Sequence, residues 1–284
     1  MAGSMGVKDT LDWVRNEWGI FAKREQMSPV DMARWLQQWV PFGVRTVGYG
    51  MMSLTLGPVT PDYKASAWAQ KEWSKSALKG IKVTTDVTGQ HLVPAGGLMY
   101  ASNHQSLLDI LVLGAELPGD LKWASKRSIM NVPFLGWHLR LAGHVPVDRK
   151  RGSRAAAETI KRFKEVLEEG KPLLVFPEGT RSDDGSVKDF KNGGFYAAVR
   201  AGVPVVPVAI EGTHKLMRKH ATHTDGPEEP ERRHVLVRIG EPIHPTTDGK
   251  ERDRVVALRE AVRDAVVAMH AELIDPREPL RASA

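Results

Sequence analysis

The residues best suited to chemistry in this chain are His104 and Asp109, which lie in the segment Ser102-Asn-His-Gln-Ser-Leu-Leu-Asp109. A histidine hydrogen-bonded to a carboxylate can serve as a general base in acyl transfer. Residues five apart on one helix lie about 140° apart around its axis, so the pair can touch only if His104 precedes a helix and Asp109 lies in its first turns. The sequence allows this, because the apolar run 97–101 predicts a strand and Ser106 with Asp109 predicts a capping pair.

A second polar segment, Phe176-Pro-Glu-Gly-Thr-Arg-Ser182, follows the apolar run 172–176. Four consecutive residues in it offer a carboxylate, a backbone position open to a ligand, a hydroxyl and a guanidinium: Glu178, Gly179, Thr180 and Arg181. The planar fork of an arginine suits a phosphate group. A lone strand-end histidine is more often structural, and a Glu-Gly-Thr turn is usually only a turn. The two segments in this order indicate a base beside an anion-binding corner.

On these motifs the chain resembles the 1-acylglycerol-3-phosphate O-acyltransferases (lysophosphatidate acyltransferases) of the glycerolipid acyltransferase superfamily. The first block of that superfamily, Asn-His-x-x-x-x-Asp, is matched at 103–109, and the third, Phe-Pro-Glu-Gly-Thr-Arg-Ser, is unchanged at 176–182. The second, Gly-x-x-x-Ile-x-Arg, is similar to 143–149 with Val147 in place of isoleucine. A fourth, Val-Pro-Val-Val-Pro-Val, stands at 203–208.

The resemblance implies transfer of a fatty acyl group from acyl-CoA or acyl carrier protein to the free hydroxyl of 1-acylglycerol-3-phosphate, at a membrane phospholipid surface and without a cofactor or metal. Glycerol-3-phosphate or another lysolipid is an alternative acceptor. The resemblance also implies an acceptor site in which the arginines hold the glycerol phosphate: Lys126, Arg149, Glu178, Gly179, Thr180, Arg181 and Lys191.

The residue types themselves narrow the mechanism. The chain has no cysteine, which excludes a thiol acyl-enzyme, and it lacks the Gly-x-Ser-x-Gly motif that would support a serine acyl-enzyme. Direct attack is simpler: His104, oriented by Asp109, takes the proton of the acceptor hydroxyl as the oxygen attacks the thioester carbonyl. The oxyanion would be stabilised by backbone amides near Gly179 and Thr180 or in the turn at His104, and the sequence leaves both open.

Composition adds limits on the partners. A formal net charge of +6 over 284 residues suits an anionic partner, such as phospholipid, acyl-CoA or acyl carrier protein, and no nucleic-acid-binding motif is present. A non-catalytic protein that binds anionic lipid at a membrane would also fit the charge, but it would need neither His104 nor Asp109. Four further histidines lack metal-ligand spacing and predict a solvated loop: His214, His220, His223 and His234.

The N-terminal part carries six of the eight tryptophans within its first 73 residues. A helix should begin at Ser28-Pro-Val-Asp31, with one apolar face formed by Met32, Trp35, Leu36, Trp39 and Val40. The apolar stretch 40–56 contains Arg45 and is too short to span a bilayer. We therefore expect 28–57 to lie in a membrane surface, with packing on the catalytic domain as the alternative. The expected location is membrane-associated, peripheral or monotopic, at the cytoplasmic face.

The remainder alternates strands and helices, which predicts an α/β fold with a mixed, largely parallel sheet flanked by helices, preceded by the amphipathic N-terminal segment. Seven strands are predicted at 81–87, 97–101, 121–124, 144–147, 173–176, 205–210 and 234–239. Helices are predicted at 153–169, 192–201 and 253–273. We divide the chain into a membrane-associating segment, 1–75, and a catalytic domain, 76–284.

Overall fold

The computed structural model describes residues 28–147, 152–219, 221, 224 and 233–274. All seven predicted strands are present, with ends within three residues of the predicted ones: β1 Thr84–Thr88, β2 Met99–Ser102, β3 Lys122–Lys126, β4 Val145–Val147, β5 Leu173–Val175, β6 Val205–Glu211 and β7 His234–Ile239. The α-helices within these residues are α1 Pro29–Leu56, α2 Lys64–Gly80, α3 Leu108–Glu116, α4 Leu135–Leu141, α5 Gly152–Glu168, α6 Gly193–Ala201, α7 Thr213–Leu216 and α8 Glu251–Ile274.

The strands form one sheet in the order β1-β7-β6-β2-β5-β3-β4, in which β6 and β7 are antiparallel and every other pair is parallel. The predicted fold class is therefore confirmed. The central strands are buried on both faces, which explains why they appear in the sequence as continuous apolar runs and not as alternating ones. The carboxyl ends of β2, β5, β3 and β4 meet along one edge of the sheet, where ligands bind in folds of this kind.

Two hydrophobic cores lie on opposite faces of the sheet. On one face Tyr100 of β2 packs with residues of α2, α3 and α4. On the other face Met99 and Ala101 pack with α5, α6 and α8, including Phe195 and Val262. One side of α8 is buried in this second core through Val255, Leu258, Val262 and Val266, so α8 packs on this face of the sheet. Both faces of the sheet are covered, and this fixes the strand ends that carry the motifs.

The predicted N-terminal helical element is the single helix α1, and its apolar residues divide between two sides. Trp39 and Phe42 pack against the first core. Arg45 also faces inward, because its Nε donates to Ser76 of α2 at 3.0 Å. Leu36 and Val40, which the sequence placed on one face with Trp39, are exposed. The helix thus packs on the domain along one side and presents apolar side chains along another.

The predicted boundary between residues 75 and 76 falls inside α2, which packs on both α1 and α3. The division into two domains stays a prediction, as does any role of residues 1–27, which lie outside the described residues.

Candidate active site

The two sequence motifs meet because their strands are neighbours in the sheet. β2 and β5 are parallel, and Ala101 is paired with Val175. His104 and Glu178 each lie three residues beyond that pair, so the register brings them to the same height. The backbone N–H of His104 donates to Oε1 of Glu178 at 3.2 Å, and the N–H of Ser182 donates to the carbonyl of His104 at 2.6 Å. The two motifs therefore form one site.

His104 has the surroundings of a general base. Its Nδ1 lies 2.8 Å from Oδ2 of Asp109, and its ring stacks on Phe176 with centroids 4.0 Å apart. When a carboxylate holds the Nδ1 proton, Nε2 keeps its lone pair and can accept a proton from a substrate. The contact that the spacing predicts is present, with His104 in the turn before α3 and Asp109 in its first turn.

Asp109 is fully buried and accepts four hydrogen bonds. Its Oδ2 accepts from His104 and from the backbone N–H groups of Gln105, at 2.7 Å, and Ser106, at 2.9 Å. Its Oδ1 accepts from the hydroxyl of Thr213 at 2.5 Å. Both halves of the predicted capping pair are present: Asp109 accepts the Ser106 N–H, and the Ser106 hydroxyl accepts the N–H of Leu108 at 3.3 Å. The same hydroxyl donates to the carbonyl of Met217 at 2.7 Å. Four donors hold this carboxylate in one orientation toward the imidazole.

Asn103 ties the same turn to the next strand. Its side-chain amide donates to the carbonyl of Ile210 and accepts from the N–H of Ile210, both at 2.9 Å. This pair of bonds imitates one rung of a β-ladder at the point where β2 has ended. The turn that carries His104 is thus anchored to β6 as well as to the β5 motif.

Glu178 is buried, and burial raises the pKa of its carboxyl to about 7, although the backbone N–H of His104 opposes this rise. Its Oε1 accepts the His104 N–H, while Oε2 is buried with no hydrogen-bond partner. A carboxyl group in such a place holds its proton to unusually high pH. Glu178 is therefore poised between its two protonation states near neutrality.

Gly179 has a positive φ of 74° and brings Lys191 close to the turn. A Cβ at this position would lie 2.7 Å from Nζ of Lys191, so a larger residue would have to displace the end of this lysine side chain, and the positive φ independently favours glycine. The backbone N–H of Lys191 donates to the carbonyl of Pro177 at 2.9 Å, which fixes the lysine beside the motif. Lys191 and Gly179 thus lie side by side, and their part in acceptor binding stays a prediction.

The other predicted acceptor residues divide by position. Thr180 is exposed and Arg181 is half-buried, both directly after Glu178. Lys126 ends β3, the other neighbour of β5, and is half-buried at the same edge of the sheet. Arg149 lies outside the described residues. The geometry places Lys126 and 178–181 along one edge, while their roles in binding stay predictions.

Sequence reasoning missed the long-range partners of this site and misplaced two histidines. Thr213 and Gln105 each donate a hydrogen bond to the buried carboxylate of Asp109, and neither residue was singled out from the sequence. His214, predicted to lie in a solvated loop, is in α7 with Nδ1 3.2 Å from the side-chain oxygen Oε1 of Gln105. His234 begins β7 and contacts Asp86 at 2.9 Å. Residues 220 and 223, the other two histidines, lie outside the described residues.

The predicted strand 234–239 already contained His234, and its presence overrides the assignment of that histidine to a loop. No sequence signal marks the side chains of Thr213 and Gln105, since the groups that these side chains contact are far away in the chain. Within the described residues, no group of three His, Cys, Asp or Glu side chains is arranged to hold a metal ion.

Comparison with known proteins places this site in context. A family model described as Acyltransferase matches residues 84–211, which contain both motifs. The crystal structure of the 1-acyl-sn-glycerophosphate (LPA) acyltransferase PlsC from Thermotoga maritima is similar with a TM-score of 0.72 and 28% sequence identity, over 89% of this chain and 98% of that one.

Two curated relatives share the sequence as well. The 1-acyl-sn-glycerol-3-phosphate acyltransferase of Saccharomyces cerevisiae is 33% identical over 223 residues, 77% of this chain and 71% of the yeast protein. The chloroplastic 1-acyl-sn-glycerol-3-phosphate acyltransferase BAT2 of Brassica napus is 41% identical over 135 residues, 47% of this chain. The matched part spans only 39% of the length of the Brassica protein.

Proposed function

Because this chain belongs to the 1-acyl-sn-glycerol-3-phosphate acyltransferase family, we propose that it moves a fatty acyl group from an acyl thioester to the free hydroxyl of 1-acylglycerol-3-phosphate. The product is phosphatidic acid, and the donor is acyl-CoA or acyl carrier protein. The observation that supports this best is the contact between the two motifs. The His104–Asp109 pair of the first motif is joined to the 178–181 segment of the second by the hydrogen bond from the His104 N–H to Glu178.

His104 acts as the general base in this proposal. As Nε2 takes the proton of the acceptor hydroxyl, the oxygen attacks the thioester carbonyl carbon and a tetrahedral oxyanion forms. The intermediate then collapses, the carbon–sulfur bond breaks, and the imidazolium returns its proton to the leaving thiolate. Asp109 stabilises the imidazolium through Nδ1, 2.8 Å away. A positioned base contributes about 10²- to 10⁴-fold in rate, enough for a thioester that is already activated.

The oxyanion needs an N–H donor, and most of the nearby amides are already used. Those of His104, Gln105 and Ser106 donate to Glu178 or Asp109, and that of Gly179 donates to the carbonyl of Phe176 at 3.0 Å. Of the amides that the sequence offered for this role, Thr180 remains. We assign oxyanion stabilisation to the backbone N–H of Thr180. Its neighbour Gly179 has no side chain and so lets the substrate approach the backbone here.

The phosphate of the acceptor meets the basic side chains at the same sheet edge. Arg181, Lys191 and Lys126 supply the positive charge in this proposal, together with Arg149 of the second motif block. Glu178, with a pKa near 7, contributes a carboxyl that can donate a hydrogen bond when it is protonated. The phosphoryl group is thereby held while the free hydroxyl reaches His104, which is positioning of the kind that converts a bimolecular step into an effectively unimolecular one.

The surface of α1 supports contact with a membrane. Its outward side carries a continuous apolar stripe at helical spacing: Leu36, Val40, Val44, Val47 and Met51, each at least 41% exposed. An exposed stripe of this length is costly in water and suits the headgroup–acyl boundary of a bilayer. We propose that the protein lies on the cytoplasmic face of a membrane through this stripe. In the described parts of the chain, no helix is both long and apolar enough to cross a bilayer.

Acceptor-dependent release of free thiol from acyl-CoA tests the proposal. The full chain is assayed with a thiol-reactive chromophore and with 1-acylglycerol-3-phosphate, glycerol-3-phosphate, lysophosphatidylcholine or no acceptor, and the product is identified by mass spectrometry. We expect release with 1-acylglycerol-3-phosphate and formation of phosphatidic acid. A preference for glycerol-3-phosphate or lysophosphatidylcholine would replace the acceptor in the proposal. No acceptor-dependent release from acyl-CoA or acyl carrier protein would instead favour a non-catalytic lipid-binding protein.

A further inference from the structure

A buried polar cluster lies behind the turn that carries His104. It consists of Gln105 next to the base, Glu211 at the end of β6, and His270 in α8, each at most 5% exposed. We call these three residues the Gln105 cluster. His270 belongs to a part of the chain that carries no motif block, 165 residues after Gln105. Buried polar groups are costly unless they are hydrogen-bonded, so their arrangement calls for an explanation.

Three atoms of the cluster are in mutual contact. Oε2 of Glu211 lies 2.8 Å from Nε2 of Gln105 and 3.0 Å from Nε2 of His270, and the two nitrogens are 3.0 Å apart. Nε2 of Gln105 also lies 2.8 Å from the carbonyl of Gly185. The two amide protons of Gln105 therefore go to Gly185 and Glu211. His270 must then carry its proton on Nε2, because an unprotonated Nε2 would direct its lone pair at a lone pair of Oε2 of Glu211.

Glu211 is held in place as a charged acceptor. Burial alone would raise the pKa of Glu211, but hydrogen bonds from His270, Gln105 and Lys215 together lower it well below the ordinary value. Lys215 reaches Oε1 at 2.8 Å, while the two members of the cluster share Oε2. Hydrogen bonds to an ionised acceptor are short and strong, so His270 contributes to the orientation of this carboxylate.

Gln105 connects the cluster to the dyad. Its backbone N–H donates to Oδ2 of Asp109 at 2.7 Å, on the same oxygen that receives Nδ1 of His104. Its side chain is fixed at the other end by Glu211 and Gly185. Any rotation of the Gln105 backbone would therefore disturb the orientation of Asp109 and, through it, the imidazole.

We propose that His270 of the C-terminal helix is a positioning residue for the His104–Asp109 pair, acting through Glu211 and Gln105. It touches neither substrate nor base; it holds the carboxylate that holds the turn. This inference rests on the proposed acyltransferase function and extends the site to an element outside the four motif blocks. It explains why an otherwise apolar, buried stripe of α8 contains one histidine in its last two turns.

The experiment compares four variants of the full chain in the thiol-release assay. His270→Leu keeps the volume but removes the Nε2 proton, and it should lower kcat about 10- to 100-fold with the KM of donor and acceptor within about twofold of wild type, since a small misplacement of a base is costly. His270→Gln keeps an N–H donor and should recover most of kcat. Glu211→Gln should lower kcat as His270→Leu does. The double variant His270→Leu/Glu211→Gln should have a kcat only slightly lower than that of either single variant.

Val266→Ala is the matched control. Val266 is fully buried one turn before His270 on the same side of α8. This variant should lower the free energy of unfolding while leaving kcat within about twofold of wild type. If it lowers kcat as much as His270→Leu does, docking of the helix accounts for the effect and the proposal is overturned.

Other results also decide the question. A folded His270→Leu protein with unchanged kcat overturns the proposal, and so does a rise in KM alone. If His270→Leu does not fold, failure of His270→Gln and Glu211→Gln to differ in kcat overturns it. Wild-type activity is measured first: its absence contradicts the proposed function itself, whereas an active wild type with insensitive variants contradicts only the role of His270.

Discussion

The backbone N–H of His104 donates to the carboxyl group of Glu178 at 3.2 Å, so the acid of one motif holds the main chain of the residue that carries the base in the other. The carbonyl of His104 is held in turn by the N–H of Ser182. Both bonds follow from the parallel pairing of Ala101 with Val175. The separation between His104 and the 178–181 segment is therefore set by the register of two paired strands.

Removal of the imidazole should abolish acyl transfer. We expect His104→Ala to lower kcat by about 10²- to 10⁴-fold, because no other described side chain contacts Asp109 as a titratable base. Asp109→Asn should also lower kcat strongly, since the amide cannot hold Nδ1–H and accept the backbone bonds as the carboxylate does. Thiol release is measured alongside circular dichroism. More than a tenth of wild-type rate in a folded His104→Ala protein would remove this residue from the mechanism.

The guanidinium of Arg181 should discriminate acceptors by their phosphate. Arg181→Ala is expected to lower kcat/KM for 1-acylglycerol-3-phosphate by about tenfold or more, since a charge-assisted bond contributes about 1.5–3 kcal/mol. Turnover of an acceptor without a phosphomonoester should change far less. Arg162→Ala is the control, because Arg162 is half-exposed on α5 and paired with Glu158. Equal losses with both kinds of acceptor would contradict the phosphate-binding role.

Glu178 should make the stability of the protein fall with rising pH. Its pKa is raised to about 7 in the folded state, whereas an unfolded glutamate has a pKa near 4.5. Between these values the folded protein binds the proton that the unfolded chain has released, so the free energy of unfolding decreases as the pH rises, by at most about 3 kcal/mol. Urea unfolding of Glu178→Gln from pH 4.5 to 7.5 should lack this decrease.

His138 changes the stability with pH in the opposite direction, so its contribution must be separated from that of Glu178. Burial first, and the charge of Lys122 second, lower the pKa of His138 to about 4. As the pH falls from 6.5 to 4, the unfolded chain binds a proton at His138 and the folded protein does not. The free energy of unfolding therefore decreases as the pH falls through this range. The difference between wild type and Glu178→Gln at each pH cancels the His138 contribution. A constant difference across the range would show that Glu178 does not titrate as expected.

The strands of the fold were predictable because burial on both faces leaves a continuous apolar run in the sequence. A parallel strand covered on both faces must be apolar throughout, and 173–176 and 205–210 show this directly. The meeting of the His104 and Glu178 motifs was predictable for the same reason, since both follow such strands. The distant partners of Asp109 and Gln105 were not predictable. Thr213 and His270 reach them across more than a hundred residues, and a single buried hydrogen bond leaves no periodic pattern.

The N-terminal helix shows a different limit. Trp39 and Leu36 lie close enough in helical projection to be assigned to one apolar face, yet the first packs on the core and the second is exposed. Hydrophobicity alone cannot tell a face that packs on protein from a face that stays exposed. The contact between Arg45 and Ser76 decides the orientation, and it depends on where α2 packs.

The hydroxyl of Thr213 should contribute to both stability and rate. Thr213→Val keeps the shape but leaves Oδ1 of the fully buried Asp109 without its donor at 2.5 Å. An unsatisfied buried acceptor costs about 1–3 kcal/mol, and kcat should fall as the carboxylate loses one of its four restraints. Thr159→Val is the control, because its hydroxyl bonds only to the carbonyl of Ala155 within α5. Equal effects on kcat from both substitutions would show that Thr213 does not orient Asp109.

A single charge on the outward side of α1 should weaken membrane binding without unfolding the protein. Val44 is 68% exposed at the middle of the apolar stripe, so Val44→Asp removes little packing. Its side chain would otherwise gain about 1–2 kcal/mol on entering the bilayer boundary, and binding to anionic vesicles should fall about tenfold or more in a sedimentation assay. Val267→Asp, on the exposed side of α8, is the matched control and should leave binding unchanged. Equal binding by Val44→Asp and wild type would mean that the stripe does not meet lipid, and loss of binding by both variants would mean that added negative charge, wherever it lies, is the cause.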